Sequence, residues 1–249
     1  GGNKIFLDLA ADPSEWALPR EAKTAYICAG ITKLDECRRD PDGTSRVNVA
    51  GTHALIKTLI DKGTFIVFLS SSQVFNGTIP KVSAQQPQNP VNEYGRQKAA
   101  VEHVLSQWPE QAAIVRLTKV IGPNSIFAGW ARSLLAGQPI RPFMDMVVSP
   151  IPLTTVVSIL RLVGDQQRGG IWQISGERDV VYSEAAFLGG KVLGANPGLI
   201  RPWSITDADL GLEANPANTT MDNDRLSQEL GLVPPPVQWT VKHHFLTEK

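Results

Sequence analysis

Residues 65–69 read Phe-Ile-Val-Phe-Leu without a polar break. The run lacks the in–out alternation of a half-exposed strand, so it reads as a strand apolar on both faces, the pattern of a central strand in a parallel sheet. Such a strand needs helices on either side of it. Around it, short β-rich runs alternate with amphipathic stretches, the rhythm of an α/β fold. Lys4-Ile5-Phe6-Leu7 reads as a first strand ending at Asp8, and Thr24-Ala25-Tyr26-Ile27-Cys28 as a second closing on Ala29-Gly30. Val47, Ala50, Leu55 and Leu59 fall at helical spacing within roughly 44–61, and Lys62-Gly63 ends that helix. A polar, proline-containing loop (76–92) leads to a helix over 93–107, and Ala113–Leu117 is a fourth strand. After Gly122-Pro123 the pattern loosens into helical pieces (125–136, 154–163, 183–192, 223–230) separated by loops. A boundary near residue 123 therefore divides a main domain (1–122) from a smaller second lobe (123–249), some of whose segments return to the main sheet.

Composition narrows the function classes. At 249 residues the chain can bury a substantial core, and 42% hydrophobic with 19% charged residues is an ordinary globular balance. Lys plus Arg equals Asp plus Glu at 24 each, so no global field favours nucleic acid or an anionic membrane. A phosphate-bearing ligand would have to be held by local groups. No apolar run approaches the ~20 residues of a membrane helix, and no signal peptide opens the sequence. Two cysteines, Cys28 and Cys37, read as reduced thiols, and a cytoplasmic protein is the expectation. His243-His244 have no partner at ligand spacing, so no metal site is expected. Six scattered Trp form no stacking array for single-stranded nucleic acid.

Chemistry concentrates around Glu93-Tyr94-Gly95-Arg96-Gln97-Lys98. On a helix, Tyr94 and Lys98 share a face one turn apart. An ammonium near a phenol stabilises the phenolate and lowers its pKa toward the working range, making tyrosine a usable acid–base group. The pair alone is a weak signal. Ahead of it the buried strand runs into Ser70-Ser71-Ser72-Gln73-Val74-Phe75-Asn76-Gly77, placing hydroxyls where open α/β sheets bind ligands. Behind it, strand 113–117 ends in Thr118 and Val120-Ile121-Gly122-Pro123. Arg141 and Arg201 are candidates for a diphosphate, because guanidinium suits bidentate phosphate contacts. One expected part is absent: no G-x-G-x-x-G or spaced relative occurs, so the strand, glycine-rich turn and helix that cradle a dinucleotide, roughly 30–40 residues of a βαβ unit, are missing from this chain.

The order strand–SSSxVF–NG, then P-x-N-x-Y-G-x-x-K, then R-x-x-x-V-x-G-P resembles the extended short-chain dehydrogenase/reductase family, the NAD-dependent epimerase/dehydratase superfamily. Val47-Asn48-Val49-Ala50-Gly51-Thr52 is similar to its N-V-x-G-T helix, Cys28-Ala29-Gly30 to its strand-end loop beside the cofactor, and Asp8-Leu9 to its adenine-contacting pair. Within the family, Asn215-Pro216-Ala217-Asn218-Thr219-Thr220-Met221-Asp222 and Trp239 look like dTDP-4-dehydrorhamnose reductase-like sugar-nucleotide reductases. Two departures stand out: Asn215 replaces that group's Arg, and Ser70-Ser71-Ser72-Gln73-Val74-Phe75 stands where it has S-T-D-Y-V-F.

The resemblance implies a Rossmann-like, doubly wound parallel sheet with a small C-terminal substrate-binding lobe. It implies NAD or NADP as cofactor, a nucleotide-linked keto sugar as substrate, and a homodimer as one form of assembly. Ser71 would hydrogen-bond the substrate oxygen, Tyr94 would pass the proton, and Lys98 would hold the cofactor ribose. Asn48 would support a proton relay or simply bend its helix. Leu69, Thr118 and the backbone of 119–122 would line the cofactor; Ser72, Gln73 and Asn76 would face substrate. Two other readings stay open: a nucleotide-sugar 4-epimerase with retained NAD, and a non-catalytic relative that binds a nucleotide or a partner protein.

Overall fold

The computed structural model describes residues 4–19, 21–207 and 216–248. Gly1-Gly2 and Asn215 lie outside the described residues. In chain order the elements begin with β1 (Thr24–Ile27), α1 (Leu34–Arg39), α2 (Pro41–Ser45), a π-helical segment (Arg46–Gly51) and α3 (Thr52–Asp61). Next come β2 (Phe65–Ser71), α4 (Glu93–Leu105), β3 (Ala112–Leu117), β4 (Lys119–Ile121) and α5 (Ile126–Leu135). Then follow β5 (Val147–Val148), β6 (Pro150–Pro152), α6 (Leu153–Asp165) and β7 (Gly170–Ile174). The last are β8 (Val180–Val181), α7 (Tyr182–Leu193), α8 (Asp224–Leu230) and α9 (Val237–Thr247).

Contacts divide the chain into two compact units, and each is discontinuous. One comprises residues 1–75, 88–116 and 160–172; the other comprises 76–87, 117–159 and 173–249.

The first unit is built on a parallel sheet with strand order β1-β2-β3-β7. β1 and β2 run parallel with Thr24 opposite Phe65 and Ile27 opposite Phe68. The apolar run is where its composition puts it: Phe65, Ile66, Val67 and Phe68 are all buried, since both faces of a central strand are covered. Leu55, Ile56, Leu59 and Ile60 of α3 and Val101 and Leu105 of α4 pack on it. The helix expected over 44–61 forms as a longer, composite run, in which α2 and α3 are joined through the π-helical segment.

One expectation fails, and one strand end moves. Lys4–Leu7 is not a strand: it pairs with nothing among the described residues, and Ile5 and Phe6 are exposed, Phe6 by 89%. A strand needs a neighbour to satisfy its backbone; here only Leu9 turns inward, and its neighbour Asp8 closes a turn on the Ala10 amide. β2 ends at Ser71, two residues beyond the expected Leu69, which keeps Ser70 and Ser71 at the carboxyl end of the strand.

The second unit is held by an aromatic core. Phe127 and Trp130 of α5 pack against each other at 5.3 Å between centroids, with Tyr182 of α7 and Phe245 of α9 completing the cluster. β4 pairs with β6, β5 with β8, and isolated bridges join Val82 to Met221 and Phe143 to Trp203.

Candidate active site

The carboxyl ends of β1 and β2 and the first turns of α4 bring most of the expected residues together within the first unit. Asn92 starts α4 by accepting from the Gly95 amide, the ordinary role of an N-cap asparagine. Its own amide donates to Gln73 Oε1 at 2.6 Å, which ties the cap to the turn following β2. That turn is short: Ser71 Oγ accepts from the Gln73 amide at 3.2 Å, and Ser72–Val74 form one 3-10 turn. Gly95 is required here, because a Cβ at that position would lie 2.1 Å from the Gln73 carbonyl oxygen. The close approach sets Tyr94 beside the end of β2, where Ser71 acts to lower the Tyr94 pKa.

Lys98 follows one turn on. Its Nζ donates to the Leu69 carbonyl at 2.9 Å and lies 4.6 Å from the centroid of the Phe68 ring and 5.7 Å from that of Tyr94. Burial pulls the ammonium down to about 8, against the opposing influence of Glu102, Cys28 and Cys37. The expected depression of the tyrosine is not seen. Burial pushes the Tyr94 phenol up to about 12, Cys37 adds to the rise, and Ser71 only partly opposes it. Lys98 addresses the Leu69 carbonyl and two ring faces, so desolvation of the phenol dominates.

Asn48 sits in the π-helical segment and is 4% exposed. Its Oδ1 accepts from the Ile31 amide at 2.7 Å, and its Nδ2 donates to the Ile31 carbonyl and to Gln97 Oε1. It thus fastens the Cys28–Ile31 loop to α4. Cys28, Ala29 and Gly30 are exposed at the end of β1. A Cβ at Gly30 (φ +154°) would meet Asn48 Oδ1 at 3.1 Å and Lys98 Nζ at 4.0 Å. Glycine therefore leaves this backbone open directly beside the lysine, an arrangement that fits a ribose of NAD(P) between the loop and Lys98.

The remaining candidates are placed differently. Leu9 is buried in the core against Gly51, whereas Asp8 is exposed and engaged with its own turn. Thr118, Asn76, Arg141 and Arg201 belong to the second unit. There Thr118 Oγ1 accepts from the Gly176 amide, and Asn76 Oδ1 accepts from Thr78. The Arg141 guanidinium stacks 3.9 Å over Trp203, whose other neighbour is Phe143 at 5.5 Å. Arg201 Nε donates weakly to the Gly198 carbonyl at 3.4 Å. Spacing alone did not single out Asn92, Gln97, Glu102 or Arg116. Asn92 carried an N-cap signal, and Glu102 lay one turn beyond Lys98 on the same helix face.

Among the described residues no group of three or more His, Cys, Asp or Glu could hold a metal, and no helix is long and apolar enough to cross a membrane.

Comparison with known proteins supplies the wider setting. A dTDP-4-keto-6-deoxy-D-glucose reductase from Streptomyces niveus is 28% identical over 217 residues, covering 85% of this chain and 74% of the relative. The methionine adenosyltransferase 2 subunit beta of Xenopus laevis is 25% identical over 237 residues, covering 89% and 70%. In fold, the chain superposes on the dTDP-4-dehydrorhamnose reductase of Bacillus anthracis str. Ames, solved in complex with NADP. The TM-score is 0.80 at 19% identity, over 91% of this chain and 81% of that one. The family model described as "RmlD substrate binding domain" matches residues 12–248. Since that match runs through both units, the chain belongs to the RmlD substrate-binding family of extended short-chain dehydrogenases/reductases.

Proposed function

We propose that this protein is an NAD(P)-dependent oxidoreductase that reduces the keto group of a nucleotide-activated sugar. The observation that carries the proposal is the gathering of Ser71 at the end of β2 with Tyr94 and Lys98 on the first turns of α4, Lys98 lying beside the open backbone of Gly30. When bound, the reduced nicotinamide supplies the hydride. Tyr94 is a phenol held well above its ordinary range, so at neutral pH it keeps its proton and can release it to the carbonyl oxygen of the substrate. Ser71 Oγ donates to the same oxygen and polarises it. Lys98 and the Cys28–Gly30 loop hold the cofactor ribose, and the Lys98 charge stabilises the phenolate as Tyr94 releases its proton.

Substrate binding is assigned to Arg141 and Arg201 of the second unit, on the diphosphate, and to Asn76 of the second unit and Ser72 and Gln73 of the first, toward the sugar. Stacking on Trp203 leaves the edges of the Arg141 guanidinium free of the ring face, which suits an in-plane phosphate contact. Two thiols held in no disulfide, one exposed and one buried, support a reducing compartment such as the cytoplasm, and a homodimer is one form of assembly that the family resemblance implies. Oxidation of NADPH or NADH on addition of dTDP-4-keto-6-deoxyglucose tests the activity directly; absence of turnover with either cofactor and with UDP- and GDP-linked keto sugars would sink the reading.

The likeness to a methionine adenosyltransferase subunit favours a second reading, a non-catalytic subunit that binds a partner protein. A catalytic role requires Tyr94; a subunit role does not. Retention of partner binding and all cellular function by Tyr94→Phe would select the second reading.

A further inference from the structure

Behind the Ser71/Tyr94/Lys98 group lies a buried charge. Glu102 is 3% exposed and Arg116 2% exposed, and Arg116 Nη2 donates to Glu102 Oε2 at 2.7 Å. Arg116 Nε reaches both carboxylate oxygens, at 3.2 and 3.0 Å. Gln88 Nε2 donates to Oε2, and Ser70 Oγ donates to Oε1, each at 2.5 Å. The guanidinium also lies 5.0 Å over the Phe75 ring. A buried ion pair adds little to stability unless its remaining lone pairs are satisfied, as they are here. This arrangement stands in contact with two parts of the site. Ser70 is the residue before Ser71 in β2, and Glu102 follows Lys98 by four positions in α4, so the carboxylate shares the lysine's inward face.

We propose that Glu102 is a positioning residue for the site: it fixes the end of β2 through Ser70 and sustains the positive charge of Lys98 from one helical turn away. The inference rests on the reductase reading for its kinetic consequence but not for its electrostatic one. The ionisable groups that face Lys98 are Glu102 and Tyr94 on α4, Cys28 at the end of β1 and Cys37 on α1. Glu102 is the only carboxylate among these groups, and its influence upward on Lys98 exceeds that of either thiol.

The decisive experiment titrates Lys98 in the full-length chain by NMR after 13C-methylation of its lysines, with Lys98→Met to assign the signal. Glu102→Gln keeps the shape and an acceptor for Ser70 but removes the charge. The Lys98 midpoint should then fall by about one pH unit, whereas Glu102→Asp should hold it near the parent value. Glu102→Gln leaves Arg116 without its counter-charge; if it does not fold, the double variant Glu102→Gln/Arg116→Gln is compared with Arg116→Gln, so that the Glu102 charge is the only difference between the two, and the double variant should show the lower midpoint. No difference in midpoint in whichever comparison folds, parent against Glu102→Gln or Arg116→Gln against the double variant, overturns the proposal, whether or not the protein reduces a sugar nucleotide. Kinetics then separate the two readings. If the reductase reading holds, the alkaline limb of kcat/KM moves to lower pH with the midpoint, while a merely structural loss would lower the rate equally at every pH. A shifted midpoint with no reductase activity in the parent protein would leave the role of Glu102 standing and remove the reductase.

Discussion

The two units differ in the polar side chains that they bury: the charged ones, Lys98, Glu102 and Arg116, lie in the first, whereas the second buries uncharged ones such as Ser149, Gln173 and Ser175. In the first, Asn48, Gln97, Lys98, Glu102 and Arg116 are buried and joined to backbone or to one another, so polarity is part of the interior. In the second, α5, α7 and α9 meet through Phe127, Trp130, Tyr182 and Phe245, and the arginines assigned to substrate, Arg141 and Arg201, are exposed. A buried polar network is costly to disturb and specifies one arrangement, which suits acid–base groups that must be held at fixed separations. An apolar core with polar residues at its rim tolerates exchange of the rim, which suits a surface that determines which substrate is accepted.

The contrast can be broken at several points. The largest effect should come from Tyr94→Phe, which removes the proton donor: kcat should fall about 10²–10⁴-fold while NADPH affinity, read by fluorescence titration, stays close to the parent value. Turnover at the parent rate would remove the first unit's claim to the chemistry. Next in size, Phe127→Ala should cost about 3–5 kcal/mol in denaturant unfolding, because it empties the centre of the aromatic cluster; a loss below 1 kcal/mol would mean that the second unit does not depend on that core. Asn48→Ala should cost about 1–3 kcal/mol by leaving the Ile31 amide and carbonyl and Gln97 without their partner, and should raise the KM for the cofactor more than it lowers kcat. A change in kcat alone would favour the proton-relay role over loop fastening. The smallest effect belongs to the rim: Arg141→Ala should weaken nucleotide-sugar binding and cost about 0.5–1 kcal/mol of stacking, with the pH profile unaltered.

Acidity sharpens the same contrast. Lys98 has its folded value lowered to about 8, so the charged lysine is present below that pH and is lost as pH rises through it. Between about 8 and its ordinary value near 10.5 the unfolded chain binds the proton that the folded chain has released, so this group makes stability rise with pH in that window. Reductase activity should instead decline on the alkaline side of about 8. Opposite trends in a melt and a rate assay over one pH range would identify Lys98 as their common source.

Much of the first unit was legible because its signals are local. Phe65–Leu69 declared a central strand, and the Tyr94/Lys98 spacing placed both side chains on one helix face. The serines after Leu69 located the strand end, although Ser70 and Ser71 proved to be strand residues. What escaped reading depended on partners far away in sequence. Glu102 looks like any helix glutamate until Arg116 and Ser70 are folded against it, and Gln97 acquires meaning only through Asn48, 49 positions earlier. The acidity of Tyr94 was misjudged for the same reason: spacing reports that Lys98 is near, but not how dry the phenol is. Lys4–Leu7 had the residues of a strand without a neighbour to pair with. Beyond residue 123, helical periodicity located α5 to α8 to within two residues, but it could not disclose that Trp203 would meet Arg141.

The discontinuity of the second unit carries a consequence for how the chain acquires its structure. Asn218 donates its backbone amide to the Gly77 carbonyl, Asp222 its amide to that of Val82, and Met221 bridges Val82, across about 140 intervening residues. Loop closure over such spans must occur before those contacts stabilise anything, so their formation is slow. During synthesis, residues 76–87 leave the ribosome long before 216–222 and wait without the segment that they bridge. Refolding should accordingly show an early phase from the 24–116 region and a later one, sensitive to Gly77 substitution, in which the second unit closes.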